Sequence, residues 1–367
     1  MTIATTSKPV TLTSIQALRG IAAIAVAFLH FAGLQVEESI WTGLNWQQYG
    51  WMGVDMFFII SGFIMVWVTA NIGSGPKIAG RFLTLRIIRI YPLWMVCMIL
   101  VGIFFYLVNG VPASIYQISK EGAWPYFFRS FFLIPQDLRP LIVVGWTLIH
   151  ELFFYLIFSI ILAVGLRAKI FIGVAIWAVV TALGLFLNWN DLSPVLEVVF
   201  SPLSYFFMAG IALAVLIMRQ EKPALAIPML VLGLTLFAAL FFTDFKLRQN
   251  RVLYLVVPFS LIVYGVVARE KGTSRAMPKV LSWLGDISYS VYLTHYLVIL
   301  GWRTFMKPFY PTGFLHEKLP PNLTIFLDSL CLLMATLITA SVFYYVVERP
   351  SLKVLRSLLP SYRAKAS

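Results

Sequence analysis

The sequence predicts an all-α membrane protein, a bundle of about ten transmembrane helices with both termini in the cytoplasm. Hydrophobic residues make up 60% of the 367-residue chain and charged residues only 12%, with a mean hydropathy of +0.88. The apolar runs are also longer and more numerous than a soluble core requires. We therefore expect one membrane domain over residues 1–367, with no soluble domain attached.

Ten apolar runs are candidates for membrane spans. The first carries Arg19 inside it, and no convincing small-residue cleavage site follows, so we interpret it as a retained helix and not as a signal peptide. The predicted spans cover residues 14–34, 51–70, 88–109, 143–165, 169–187, 198–218, 225–242, 252–268, 286–305 and 323–347.

The distribution of basic residues predicts the orientation. With the N-terminus inside, eighteen Lys and Arg residues fall in inner segments and nine in outer loops, as the positive-inside rule requires. The net charge of +13 then reflects cytoplasmic loops beside an anionic leaflet and not a nucleic-acid partner. The long outer loop, 110–142, contains the aromatic piece WPYFFRSFFLIP, which is too short to span and predicts a re-entrant or interfacial helix.

The cysteines and histidines do not predict a metal site. Cys97 and Cys331 both lie in apolar runs, which gives no disulfide framework. The four histidines are far apart in the chain, and no HExxH or CxxC motif occurs. They are His30, His150, His295 and His316.

The first span contains two titratable residues, Arg19 and His30, eleven residues apart. Eleven residues of α-helix turn through about 1100° and rise about 16 Å, so both side chains lie on one face at different depths. Ionisable groups inside a membrane helix usually face a cavity or a partner. The alternative is an arginine that snorkels to the interface and a histidine near a helix end.

The other intramembrane polar residues sort into two layers. The inner layer combines Arg19 with Arg86 and Arg89, which lie on one helical face in RIIRIYP, and with Glu348 in ERP. The outer layer contains acidic residues and histidines, namely His30, Asp55, His150, Glu151 and, in ISYSVYLTHY, His295. Purely structural polar groups would have less reason to separate in this way.

The two layers suit different chemistry. Arg86 and Arg89 can bind a polyphosphate donor from the cytoplasm, or they can be ordinary positive-inside anchors. His30 has the intrinsic pKa to take a proton from a hydroxyl, and Glu151 could orient its ring and stabilise its charged form. Asp55 could bind a polar acceptor or accept hydrogen bonds from a neighbouring helix.

Six motifs follow one another along the chain. They are LRGIAAIAVAFLH (Arg19, His30), GVDMFFIISGF (Asp55, Ser61), RIIRIYP (Arg86, Arg89), WTLIHELFFY (Trp146, Thr147, Glu151), ISYSVYLTHY (Tyr289, Tyr292, His295) and ERP (Glu348). In this order they resemble the acyltransferase 3 family of integral membrane O-acyltransferases. Among its branches, the chain is similar to the short stand-alone members associated with exopolysaccharide acetylation, without the C-terminal esterase-like domain of larger members.

The resemblance implies transfer of an acyl group, usually acetyl from acetyl-CoA, to a hydroxyl of a saccharide at the outer face of a bacterial inner membrane. The donor would be bound by Arg86 and Arg89, with its pantetheine arm passing Arg19. His30 would be the general base, with Glu151 as its partner. The residues expected to contact the acceptor are Asp55, Trp146, Tyr292 and His295. The expected partners are a polysaccharide or lipid-linked oligosaccharide, the lipid bilayer and a polysaccharide-assembly machinery.

A transporter or flippase for a glycan or a lipid-linked sugar is the alternative from another class. Ten helices with buried arginines, histidines and acids suit it. Transporters, however, often contain paired repeats with interrupted helices in corresponding places, and the sequence shows no such repeat. A cavity that collects Arg19, His30, Arg86, Arg89 and Glu151 would favour the enzyme.

Overall fold

The computed structural model describes most of the chain, and the structural statements below concern this part. The described ranges are 12–35, 51–109, 122–166, 169–219, 223–240, 250–273, 275–306 and 321–359. Both predicted cytoplasmic termini (1–11 and 360–367), residues 110–121 of the long outer loop, and His316 lie outside them.

The described ranges are helical and contain no β-strand. The α-helices are α1 (Thr13–Gln35), α2 (Met52–Val68), α3 (Pro76–Asn109), α4 (Ala123–Phe131), α5 (Gly145–Ala163), α6 (Ile170–Leu183), α7 (Pro194–Val199), α8 (Ser204–Arg219), α9 (Ala226–Ala239), α10 (Arg251–Thr273), α11 (Lys279–Asp286), α12 (Ser288–Gly301), α13 (Pro321–Phe343) and α14 (Arg349–Ser357). Two π-helical turns, Trp302–Met306 and Tyr344–Glu348, follow α12 and α13.

A helix lies in each of the ten predicted spans, and the apolar composition identifies an integral membrane protein. Five helical stretches among the described residues are long and apolar enough to cross a membrane: Pro76–Leu107, Gly145–Ala163, Pro194–Arg219, Arg251–Thr273 and Phe326–Ser357. Four shorter apolar helices accompany them: Thr13–Phe28, Met52–Val68, Ile170–Phe186 and Ala226–Ala239. Ten crossings and cytoplasmic termini therefore remain predictions.

Two helices differ from their predicted bounds for identifiable reasons. The helix α3 begins at Pro76, twelve residues before the predicted span, because a polar segment continues the backbone hydrogen bonding beyond the apolar region. The predicted span 198–218 is divided into α7 and α8, and the break contains Pro202, whose nitrogen has no hydrogen to donate. Hydropathy measures apolar length and is insensitive to both effects.

Glycines bring three of the helices close to their neighbours. A Cβ atom built on Gly62 of α2 would lie 2.1 Å from the Phe207 carbonyl oxygen of α8, and one on Gly210 of α8 would lie 2.0 Å from the Ile59 carbonyl oxygen. The two backbones are thus in direct contact from both sides, as in small-residue packing of membrane helices. Gly285 of α11 approaches α1 in the same way. These contacts set the positions of α1 and α2, which carry part of the site.

The N-terminal end of α1 is held by a carboxylate from another helix. Glu270 of α10 accepts hydrogen bonds from the backbone N–H groups of Thr13 (2.8 Å) and Ser14 (2.9 Å), and from both hydroxyls. The first N–H groups of a helix have no partner within the helix, so Glu270 caps α1 and adds a favourable charge at its N-terminus. This cap fixes α1 one to two turns from Arg19.

Most of the aromatic piece WPYFFRSFFLIP, predicted to lie in an outer loop, forms the short helix α4. Tyr126 and Ser130 face inward, whereas Trp124 and Phe128 are exposed. Nine residues rise about 14 Å, which is too short to cross a bilayer, and the exposed aromatic face suits the membrane interface. The indole of Trp94 on α3 donates to the Phe131 carbonyl oxygen (2.9 Å) and attaches α4 to the bundle.

Candidate active site

An internal cavity of about 140 Å³ lies between α1, α2, α3, α5 and α12. Five of the residues that line it were selected from the sequence: Arg19, Arg86, Arg89, Glu151 and Tyr292. The other lining residues are Val54, Phe57, Phe58, Ile60, Ser61, Ile64, Ile90, Thr147, Leu148, Tyr155, Ser288 and Tyr289. Apolar walls with a few convergent polar groups are typical of a ligand site.

An ion pair with Glu348 holds Arg89 at the cavity. The Arg89 guanidinium contacts Oε1 of Glu348, and the Ser290 hydroxyl donates to Oε2 (2.6 Å). Glu348 is only 1% exposed, so the carboxylate depends on these two partners. It ends the π-helical turn Tyr344–Glu348, and such turns are frequent at functional sites. The structure thus brings the inner layer of the sequence together around Arg89.

The guanidinium of Arg86 lies against two aromatic rings. Its Cζ atom lies 5.2 Å from the ring centroid of Phe82 and 5.6 Å from that of Tyr155, both cation–π distances. Its buried Nε atom has no hydrogen-bond partner within the described residues. A buried donor without a partner is costly, and a bound anion would satisfy it.

Glu151 lies at the arginine cavity. From the sequence we expect it beside His30, but its Oε1 atom instead accepts hydrogen bonds from the hydroxyls of Ser61 (2.7 Å) and Tyr155. The carboxylate is also close enough to Arg19 for an electrostatic interaction. Tyr155 follows Glu151 by one helical turn on α5, a spacing that indicates a contact and that the sequence reasoning missed. This network orients Glu151 towards the arginines.

His30 lies outside the cavity, with an exposed side chain. Its Nδ1 atom donates to the Val26 carbonyl oxygen (2.9 Å), and its ring stacks on that of His295, with centroids 5.2 Å apart and an interplanar angle of 27°. Arg19 and His30 both face α12, because Arg19 shares the cavity with Tyr289 of that helix. Both residues thus have a neighbour on α12, as a shared helical face predicts.

His295 and Tyr292 connect His30 to the cavity wall. The His295 ring is 1% exposed, its Nδ1 atom lies 3.2 Å from the Val291 carbonyl oxygen, and its Nε2 atom has no hydrogen-bond partner within the described ranges. The ring centroids of His295 and Tyr292 are 5.9 Å apart. The Tyr292 hydroxyl lies 2.7 Å from that of Thr147, which also lines the cavity. Aromatic contacts thus run from the cavity to His30.

Asp55 and Trp146 belong to a second cluster, in which both are close to Arg251. An Nη1 atom of Arg251 lies 3.7 Å from Oδ1 of the fully buried Asp55, and Cζ lies 5.3 Å from the ring of Trp51 and 5.9 Å from that of Trp146. Arg251 begins α10, one residue before a predicted span, and the sequence reasoning counted it only as an outer-loop charge. A basic residue at the end of a predicted span is a signal for a partner of an intramembrane Asp.

The described residues include no group of three or more His, Cys, Asp and Glu side chains placed to hold a metal ion. Both cysteines have free thiols, Cys97 in the core and Cys331 exposed. The donor groups of the site are therefore guanidinium, carboxylate, hydroxyl and imidazole groups, which suit anion binding and proton transfer.

Three relatives are similar to this chain in sequence. The exopolysaccharide production protein ExoZ of Rhizobium meliloti is 28% identical over 261 residues, which cover 68% of this chain and 77% of ExoZ. The peptidoglycan O-acetyltransferase OatA of Listeria monocytogenes is 25% identical over 326 residues, 78% of this chain and 49% of OatA. The acyltransferase MdmB of Streptomyces mycarofaciens is 28% identical over 162 residues, 41% of this chain and 39% of MdmB.

The match to OatA spans about half of that protein, whereas the match to ExoZ spans most of it. No solved structure matches this chain. The model of the family described as "Acyltransferase domain" matches residues 12–345, a range that contains all the site residues described above except Glu348. The chain therefore belongs to the acyltransferase 3 family of membrane O-acyltransferases.

Proposed function

We propose that this enzyme transfers a short acyl group, most simply acetyl, from cytoplasmic acyl-CoA to a hydroxyl of an extracytoplasmic or lipid-linked saccharide. The observation that carries the proposal is the cavity lined by Arg19, Arg86, Arg89 and Glu151, with an aromatic path from Tyr292 towards His30. A donor that is anionic at one end and reactive at the other fits this arrangement.

The three arginines form the donor side of the proposed site. Glu348 and Glu151 supply two carboxylates against three guanidinium groups, so one positive charge remains for an anionic donor. The Nε atom of Arg86, which lacks a partner among the described residues, adds a donor for a phosphate or thioester oxygen. Arg19, two helical turns from the capped end of α1, would guide the narrow pantetheine arm into the bundle. In this scheme the hydroxyls of Ser61 and Tyr155 hold the Glu151 carboxylate, and the carboxylate in turn holds the arginines in place.

His30 is proposed as the general base. Because Nδ1–H donates to the Val26 carbonyl, the neutral ring carries its lone pair on Nε2. In the proposed step, Nε2 takes the proton of the sugar hydroxyl as the sugar oxygen attacks the thioester carbonyl carbon. The C–O bond forms, the C–S bond breaks, and the proton passes to the departing thiolate. The products are an O-acyl saccharide and free CoA.

The acceptor side is proposed to combine His295 and Tyr292 with the cluster around Arg251. In this cluster the indole rings of Trp51 and Trp146 provide flat apolar faces, and Asp55 provides a carboxylate beside the Arg251 guanidinium. Aromatic walls with a few polar groups can orient a sugar ring. The stacked ring of His295 would then hold His30 in position at the hydroxyl.

Similarity to ExoZ, an exopolysaccharide production protein, and to OatA, a peptidoglycan O-acetyltransferase, favours a polysaccharide acceptor. We propose an exopolysaccharide or its lipid-linked precursor, acylated at the bacterial inner membrane alongside a polysaccharide-assembly machinery. Acetyl-CoA is the proposed co-substrate, and a short acyl-CoA such as succinyl-CoA fits the same site.

The test uses purified protein in proteoliposomes that carry the host's surface glycan, with radiolabelled acetyl-CoA outside or inside. Wild type is expected to label the glycan, and His30→Gln is expected to lower the rate by about 100-fold or more, the usual contribution of a general base. His150→Gln is a matched control, since its Nδ1 atom also donates to a backbone carbonyl one turn earlier, that of Trp146 (2.9 Å). Its rate should stay within a few-fold of wild type.

Two results would contradict the proposal. Normal labelling by His30→Gln at wild-type protein levels would remove His30 from the base role. No labelling by folded wild type, with the glycan present, would remove acetyl-CoA as the donor.

A further inference from the structure

The helix α14 carries a basic face next to the cavity. It starts directly after the π-helical turn Tyr344–Glu348, so its first residue, Arg349, follows the buried partner of Arg89. Lys353 and Arg356 come four and seven residues later, a spacing that puts all three on one helical face. From the sequence alone, these side chains count only as charges of a predicted cytoplasmic tail.

These three side chains line an open basin of about 530 Å³. Arg19 and Arg89 line the same basin and also the internal cavity, so the two spaces meet at these two guanidinium groups. This volume falls within the range of small-molecule sites, about 300–1,000 Å³. A ligand in the basin would thus lie beside Arg19 and Arg89, the two side chains that also line the cavity.

The basin is strongly cationic. Among the described residues, five basic side chains line it, against one acidic side chain, Asp286. The nearby Glu348 carboxylate forms an ion pair with Arg89 and accepts a hydrogen bond from Ser290. Arg356 is also close enough to Arg89 and Arg86 for electrostatic repulsion between their positive charges. Like charges held this close repel one another, and a ligand with several negative charges relieves the repulsion.

We propose, on the basis of the acyl-CoA donor proposed above, that the basic face of α14 binds the phosphates at the nucleotide end of that donor. The phosphates would rest on Arg349, Lys353 and Arg356, and the pantetheine arm would extend between Arg19 and Arg89 into the cavity. Tyr344, which also lines the basin, offers an aromatic ring for stacking of the adenine base. Phosphates of anionic lipids share this chemistry, so the experiment separates the two sources.

The experiment measures CoA affinity by calorimetry with the full chain in phosphatidylcholine nanodiscs. The double variant Lys353→Gln/Arg356→Gln is compared with wild type, with the charge-preserving Lys353→Arg/Arg356→Lys, and with Lys77→Gln. Lys77 is an exposed lysine at the start of α3, so its loss controls for charge alone. Acyl transfer from acetyl-CoA and from acetyl-pantetheine, which lacks the nucleotide, is measured in parallel.

The double variant is expected to bind CoA about 10- to 100-fold more weakly, since each lost charge-assisted contact is worth about tenfold. Its KM for acetyl-CoA should rise with little change in kcat, and its use of acetyl-pantetheine should equal that of wild type. The charge-preserving variant and Lys77→Gln should bind CoA like wild type.

Unchanged CoA affinity in the double variant, with transfer from acetyl-CoA intact in wild type, would overturn this inference and leave the donor standing. The lipid source is tested with nanodiscs that contain phosphatidylglycerol as well as phosphatidylcholine. If the double variant binds phosphatidylglycerol more weakly than wild type does and its CoA affinity is unchanged, the inference is overturned in favour of a lipid site. A wild type that neither binds CoA nor uses acetyl-CoA would overturn both this inference and the proposed donor.

Discussion

The ion pair between Arg89 and Glu348 supports a quantitative prediction, because both residues are held next to two other arginines. Glu348→Gln removes the negative charge and keeps the shape, which leaves Arg89 beside Arg19 and Arg86. Arg89→Gln leaves the Glu348 carboxylate, only 1% exposed, with the Ser290 hydroxyl. Each single change leaves one charged side chain without its partner, whereas the double change removes both charges.

The magnitude follows from the burial of the pair. Two unit charges about 4 Å apart attract by about 4 kcal/mol at an effective dielectric constant of about 20. Removal of one partner from a buried pair costs about 3–5 kcal/mol. The Arg89 side chain keeps 21% of its surface exposed, so we expect the lower end, about 3 kcal/mol for each single variant. The double variant should cost about 2 kcal/mol less than the sum of the singles.

The assay is equilibrium unfolding of the purified protein in mixed micelles of increasing SDS content, followed by tryptophan fluorescence. Free energies of unfolding for the two single variants, the double variant and wild type complete a double-mutant cycle. Lys77→Gln, an exposed change on the same helix as Arg89, should stay within about 0.5 kcal/mol of wild type.

A coupling energy below about 0.5 kcal/mol would refute the reasoning, since it would mean that Arg89 and Glu348 do not depend on each other. If the double variant and each single variant lost the same free energy of unfolding, each charge would stabilise the protein only when its partner is present. The donor KM of each variant can be measured on the same preparations.

Two further predictions concern the packing that positions the site. Gly62→Ala should lower the free energy of unfolding by about 1–3 kcal/mol, because its Cβ atom would meet the Phe207 carbonyl oxygen at 2.1 Å. Gly80→Ala, with no atom within 4 Å, should be neutral or stabilising. Glu270→Ala should cost about 1–2 kcal/mol, because it removes the cap of α1. Equal free energies of unfolding for the two glycine variants would contradict the packing assignment. A wild-type free energy of unfolding for Glu270→Ala would contradict the capping role.

The sequence predicted the class of the fold because hydrophobic length is a local property. A helix lies in every predicted span, and the family motifs identified the enzyme class. The sequence also predicted that Arg86 and Arg89 act together. They are three residues apart on one helix, and the helical repeat alone puts them on one face. Their convergence with Arg19 and Glu348 on one site is what the structure adds.

Contacts between helices could not be read in this way. Glu151 lies with Ser61 and Tyr155, whereas the sequence suggested His30 as its partner, because motif order does not say which way a helix is rotated. The contact of His30 with His295 likewise depends on how α1 and α12 pack. The functional roles of these residues remain predictions, to be tested by the variants above.

The sequence by itself determined an integral membrane acyltransferase, since composition, helical period and motif order are written along the chain. Its two layers of polar residues are a prediction, and Glu151, assigned to the outer layer, lies in the cavity with the arginines of the inner one. Only the tertiary structure decided that Arg19 and Arg89 lie between two spaces, and that α14 lies beside them. Residues 19, 89 and 349–357 are distant in sequence, and their proximity depends on helix packing and on the π-helical turn before α14.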